Sequence, residues 1–331
     1  MTSLKPRIRK ILIASCILLA VFGVGVYAYY NTDLKDVINN IGYAPAKEIS
    51  DIVTDLELTD KGRTIFYASR PEIENAESFN EHCDSHDEKI AVLGCYTKKK
   101  IYLHRPNTDE LNGVIESTSA HELLHAAWER LSENDKARLT PELKSVYEKY
   151  YDALSEDLSI YDDSAQVDEL HSRIGTQIPF NNLTKTLKDH YQTYFKNYDV
   201  VIAFYNDYIG PFRELQEERD ELKQQLEDEQ TDIDYRSQIY YEAVEKLSKK
   251  IDEFNNCANT TNCFRSEAAF NARRAELVAE QQQLEDEYNS INDAIEAYNK
   301  KVEQYNNSVL RTQDLENSIN SNVKIIERIN Q

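Results

Sequence analysis

A mostly helical α+β domain, followed by a long antiparallel coiled-coil hairpin and preceded by one N-terminal membrane helix, is the fold class that this 331-residue sequence predicts. Three observations predict it. Residues 11–30 form an apolar run without a charge. All 7 histidines fall between His82 and His190. Beyond Gly210 and Pro211 neither glycine nor proline recurs.

The apolar run is close to the roughly 20 residues that a helix needs to cross a bilayer. Lys5, Arg7, Arg9 and Lys10 precede it with no acid among them, and Tyr27, Tyr29 and Tyr30 close it, as an interfacial aromatic belt does. Residues 1–10 are therefore expected in the cytoplasm, 11–30 in the membrane and the rest outside the cell. Two rival readings remain. Val26-Tyr27-Ala28 is a signal-peptidase site that would release a secreted protein. Ile13-Ala14-Ser15-Cys16 resembles a lipoprotein box, but only Ile11 and Leu12 stand before it after Lys10.

Residues 31–210 read as the α+β domain. Arg63–Tyr67 is expected as a short strand, and residues 90–96 and 100–104 as a hairpin joined by a basic turn. Ser132 opens a new turn, and Thr140-Pro141-Glu142 reads as the cap of a further helix. Residues 180–209 continue the helical pattern and are rich in tyrosine, with His190, Tyr191 and Tyr194 among them.

Within this domain lies His121-Glu122-Leu123-Leu124-His125. Residues four apart share a helix face, so both imidazoles can reach one metal ion. Zn²⁺ accepts neutral imidazole nitrogen, and a carboxylate one residue after the first ligand sits where it can take a proton from water. Ala120, Leu123, Leu124, Ala126, Ala127, Trp128 and Leu131 surround the motif with apolar surface. Burying two histidines and a glutamate there costs free energy unless something satisfies them, and a metal does so. His121 and His125 are the expected ligands and Glu122 the expected general base.

With these residues the chain resembles the zincin superfamily of zinc metallopeptidases over roughly residues 50–200. Trp128 and Leu131 stand where the metzincin branch needs glycine and histidine, so the likeness is to the looser gluzincin group. That resemblance implies a third ligand from a glutamate on a later helix, and Glu169 in Asp168-Glu-Leu-His-Ser-Arg173 is the candidate. His171 is the alternative, since a three-histidine site is chemically reasonable. Arg173, four residues after Glu169, replaces the aspartate of thermolysin-like enzymes and could ion-pair with Glu169 instead. The resemblance also implies an edge strand that pairs with extended substrate just before the active helix, here Ile101 to His104, and an oxyanion donor for which His190, Tyr191 and Tyr194 are candidates.

Of the 5 cysteines, Cys16 lies in the apolar run and the others form two local pairs, Cys83 with Cys95 and Cys257 with Cys263. An even count outside the cell reads as disulfides. A metal cluster of His82, Cys83, His86 and Cys95 is the rival. The net charge of −21 excludes nucleic acid as a partner, because phosphates would repel such a surface.

Residues 211–331 carry apolar residues at heptad spacing in two sets, Leu215 to Phe254 and Phe270 to Ile326, with Cys257 and Cys263 in the turn between them. Gly210-Pro211 is expected to break the chain's helix at the boundary. Two functions of different class follow. One is a membrane-anchored extracytoplasmic zinc peptidase that cleaves protein or peptide substrates. The other is a non-catalytic surface scaffold that binds a protein partner through its coiled coil and uses the metal structurally.

Overall fold

The computed structural model describes residues 32–83, 93–108, 110–155 and 163–320, together with Gly23 and Leu158. The expected membrane span, its cleavage sites, Cys16 and His86 lie outside them. Among the described residues no helix is long and apolar enough to cross a membrane.

The described chain is mostly helical with one small sheet. Three short helices come first: α1 (Thr32–Asn39), α2 (Lys47–Asp55) and α3 (Asp60–Ala68). Residues 63–67, expected as a strand, lie in α3. Thr59 caps it, its hydroxyl accepting from the Gly62 amide at 3.0 Å. The β-branched pair Thr64 and Ile65 is overridden because Ile65 and Phe66 are buried from a helix. Gly62 admits the backbone of Tyr194, whose carbonyl oxygen lies 2.4 Å from where a Cβ would stand.

Next come β1 (Glu72–Glu74), α4 (Ala76–His82), β2 (Gly94–Thr97) and β3 (Lys100–His104). The expected hairpin is present: β2 and β3 pair antiparallel, Thr97 opposite Lys100. Its two central residues, Lys98 and Lys99, have φ of 50° and 67°, the left-handed backbone that a type I′ turn requires. β1 joins β3 in parallel, so the sheet order is β1-β3-β2. Ile101–His104 is thus the central strand and not the edge. Parallel pairing with β1 occupies its other side, a non-local contact that no local pattern encodes.

α5 (Val114–Arg130) packs against the sheet and against α8 (Asp163–Gln177), and it is buried on nearly every side. Between them run α6 (Glu133–Lys149) and α7 (Tyr151–Leu154). Ser132 caps α6 as expected, but Thr140-Pro141 does not start a new helix. The helix passes through Pro141 at the loss of one backbone hydrogen bond, because Leu139, Leu143 and Val146 on one face keep it in the core. α9 (Lys185–Tyr191) follows, and the core closes around Leu124, Ile174, Leu187, Tyr191 and Phe195.

Two long helices complete the chain, α10 (Tyr198–Ala258) and α11 (Glu267–Ile319). Contrary to the expected break, α10 runs on through Gly210-Pro211, because proline costs only one hydrogen bond and Gly210 has open space around it. As one continuous helix α10 is about 90 Å long at 1.5 Å per residue. The chain forms two compact units, one running to Pro211 and resuming at Leu315, the other spanning Phe212–Asp314.

In the second unit the helices pack antiparallel. Lys250 pairs with Glu280 at 2.7 Å, Arg236 with Glu287 at 2.9 Å, and Lys301 with Glu229. Leu222, Leu247, Leu277 and Ile291 form the buried seam. Val244, Tyr288 and Ile295, which fall within the same two heptad sets, are exposed, since two helices alone cannot enclose every heptad position. At the tip Phe254, Phe264 and Phe270 cluster with ring centres 5.1–5.4 Å apart. Both expected disulfides are present, Cys83–Cys95 with Cα atoms 6.0 Å apart and Cys257–Cys263 at 5.3 Å. The first removes the thiols from the rival metal cluster, and His82 pairs instead with Glu74 at 3.0 Å.

Candidate metal centre

α5 presents His121 and His125 on one face, and α8 crosses that face with Asp168 and Glu169. Gly175, nearly two turns further along α8, lets the two helices approach. A Cβ there would stand 2.3 Å from Leu124 and 2.6 Å from the Tyr191 ring. The result is a tight group. The ligand atoms of His121, His125 and Glu169 all lie within 4.8 Å of one another. His121 Nε2 and His125 Nε2 are 3.1 Å apart, and Glu169 Oε2 is 3.7 Å and 3.3 Å from them.

Two further side chains hold this group. Asp168 Oδ1 accepts from His125 Nδ1 at 2.9 Å, which fixes the ring so that Nε2 faces Glu169 and His121. Arg173 Nε donates to Glu169 Oε1 at 2.6 Å, leaving Oε2 for the histidines. The ion pair with Arg173 and the ligand role are thus served by different oxygens of one carboxylate.

The electrostatics are those of a cation site. Burial by itself would raise the Glu169 carboxyl, but the adjacent His121 and His125 outweigh it and hold the group well below the usual carboxylate range. Burial would likewise lower His125, yet its hydrogen bonds to Asp168 and Glu169 push it well above the usual histidine range. The pull that holds a proton there is equally a pull on a metal ion. Two imidazoles and a carboxylate, converging with one imidazole already oriented, fit a divalent metal.

Glu122 is 4% exposed and sits beside this group. Burial raises its carboxyl above the ordinary range, opposed by the two histidines and reinforced by Glu169 and Asp168. The start of β2 lies against it. A Cβ on Gly94 would stand 2.9 Å from both Cγ and Oε1 of Glu122 and 2.6 Å from the Thr118 methyl.

His171 does not join the group. It is fully buried under Trp128, its Nε2 2.8 Å from His190 Nε2. Burial holds both rings below the usual range, His171 well below it and His190 at about 4, so they form a neutral hydrogen-bonded pair. The expected oxyanion candidates are core residues. Tyr191 and Tyr194 are 0% and 1% exposed, and the Tyr191 hydroxyl donates to the His171 carbonyl at 2.8 Å.

Two contributors escape the motif-level reading. Asp168 was legible only as part of the Glu169 stretch, and a glycine inside a strand pattern was the one signal for Gly94. Compared with known proteins, the chain matches no family model, no curated protein and no solved structure.

Proposed function

We propose that this chain is a membrane-anchored, extracytoplasmic zinc metallopeptidase of the zincin type. The observation that carries the reading is the convergence of His121, His125 and Glu169 from two helices, with Glu122 buried beside them. These three residues would hold zinc, whose chemistry when bound is Lewis acidity toward a peptide carbonyl and water. Among the described residues no fourth histidine, cysteine or acid joins the three, which suits an open catalytic position more than a closed structural one.

The roles of the chain's own residues follow from their placement. Glu122, with its carboxyl raised above the ordinary range by burial, takes a proton from the attacking water and passes it to the leaving amine. Asp168 orients His125, and Arg173 orients Glu169. Substrate pairing moves from β3 to β2. The His104 amide bonds to the Leu93 carbonyl, so in this register the N–H and C=O of Gly94 and Tyr96 point away from β3. Among the described residues no strand pairs with that side. An extended peptide laid along it would run past Glu122. The hairpin of α10 and α11 then serves to position the enzyme or recruit substrate.

The test is zinc content and peptide cleavage by the purified chain, with and without chelator. Glu122→Gln is expected to keep its zinc and lose several orders of magnitude in turnover, while His121→Ala and His125→Ala lose the metal. Full turnover by Glu122→Gln, or stoichiometric zinc in both histidine variants, would overturn the reading.

A further inference from the structure

Helix α1 is amphipathic in the inverted sense. Asp36 and, just past the end of the helix, Asn40 face the protein, while Lys35 and Asn39 are exposed along its flank. Asp36 is 5% exposed and accepts from Arg130 at 2.6 and 3.2 Å, and Asn40 donates to the Thr64 carbonyl at 2.9 Å. Its apolar side chains face out. Val37, Ile38 and Ile41 are 52%, 45% and 78% exposed. Val37 and Ile38 are neighbours on α1, and Ile41, in the turn just past its end, is held beside Ile38 by the bond of its amide to the Ile38 carbonyl at 3.1 Å, so the three form one patch. A surface helix of a globular domain ordinarily does the opposite. Rotating α1 to bury its apolar side would leave Arg130 buried without its carboxylate, a cost that locks the present orientation.

The position in the chain says what covers this patch. α1 opens at Thr32, directly after the apolar run of residues 11–30. One residue separates that run from Thr32, and the chain's reach puts Val37 within roughly 15 Å of its end. The interfacial layer on each side of a bilayer's hydrocarbon core is itself about 5–8 Å thick. We propose that Val37, Ile38 and Ile41 seat α1 in the lipid interface, so that the domain rests on the bilayer surface instead of hanging from a free tether. The proposal rests on reading residues 11–30 as a membrane span. With a net charge of −21 the attraction is apolar and not electrostatic, so zwitterionic lipid suffices.

The experiment uses the full chain reconstituted in phosphatidylcholine vesicles whose acyl chains carry bromine near the headgroup. Trp128, the only native tryptophan, is buried and gives a common background. Ile38→Trp adds a reporter in the patch, and Lys185→Trp adds one at an exposed position on another helix. The expected result is at least a twofold loss of the added fluorescence for Ile38→Trp and none for Lys185→Trp. Adding Val37→Glu and Ile41→Glu should abolish the quenching while the circular dichroism and vesicle flotation stay unchanged. Equal quenching at the two positions, or none at either in chains that float, would overturn the interfacial seat alone. So would chains that cross-link through position 38 without quenching, since the patch would then cover a protein. Chains that fail to float would overturn the seat together with the membrane span.

Discussion

Gly94→Ala probes the placement of Glu122 without touching a metal ligand. The added methyl would stand 2.6 Å from the Thr118 methyl and 2.9 Å from the Glu122 carboxyl oxygen, and real Cβ atoms do not approach so closely. Gly94 is held through its neighbours, by the bond of the His104 amide to the Leu93 carbonyl and by the Cys83–Cys95 disulfide, so β2 cannot retreat freely and the side chains on α5 must yield. Overpacking of this kind costs about 1–3 kcal/mol of stability. The functional loss should be larger, since a displacement of about 1 Å in a reacting group costs on the order of 10²-fold in rate. The expected variant therefore folds, holds one zinc per chain because His121, His125 and Glu169 are undisturbed, and cleaves peptide about 100-fold more slowly. Thr118→Ser in the same chain removes the closest clash and should recover part of the rate. The assays are zinc stoichiometry, urea unfolding and peptide turnover on the same preparations. Undiminished turnover in Gly94→Ala would refute the placement of Glu122 against β2, and loss of zinc would show that the strand supports the ligands themselves.

Further outcomes are expected. Glu169→Ala should weaken zinc binding far more than His171→Ala, since Glu169 faces the two histidines whereas His171 faces His190; the reverse ranking in a competition titration would make this a three-histidine site. Asp36→Ala should destabilise the domain by about 3 kcal/mol in urea because it leaves Arg130, 13% exposed, without its partner; a change no larger than that of the exposed Asp51→Ala would remove the ion pair from the account. His190 is held at about 4 by burial, so the unfolded chain binds its proton first, and stability should fall as pH drops from 7 toward 4, by about 3 kcal/mol from this residue. His190→Gln should flatten that part of the acid limb, and an unchanged pH dependence of the urea midpoint would disprove the neutral pair.

What the sequence determined by itself was chemistry held in short spacings. His121, Glu122 and His125 are close on any helix because four residues make about one turn, and Lys100–His104 pairs with Gly94–Thr97 because two residues suffice for the turn between them. Both disulfides and the long hairpin were legible for the same reason, each resting on local closeness or on repeated periodicity. What only tertiary structure decided were choices between locally equivalent alternatives. Glu169 and His171 sit two residues apart on α8, so they project from the helix in different directions, and the crossing of α8 over α5 decides which one faces the histidines. Residues 63–67 could have been strand, and burial of Ile65 and Phe66 made them helix. Pro141 and Pro211 each remove one hydrogen bond, a loss that continuous packing on either side outweighs. β3 became the central strand because β1, whose residues stand 30 positions earlier than their partners, pairs with its far side, and among the described residues that pairing left the open edge beside Glu122 to β2. The orientation of α1 was settled by a single carboxylate reaching Arg130, 94 residues along the chain. Hydrophobic periodicity alone would have turned that helix the other way.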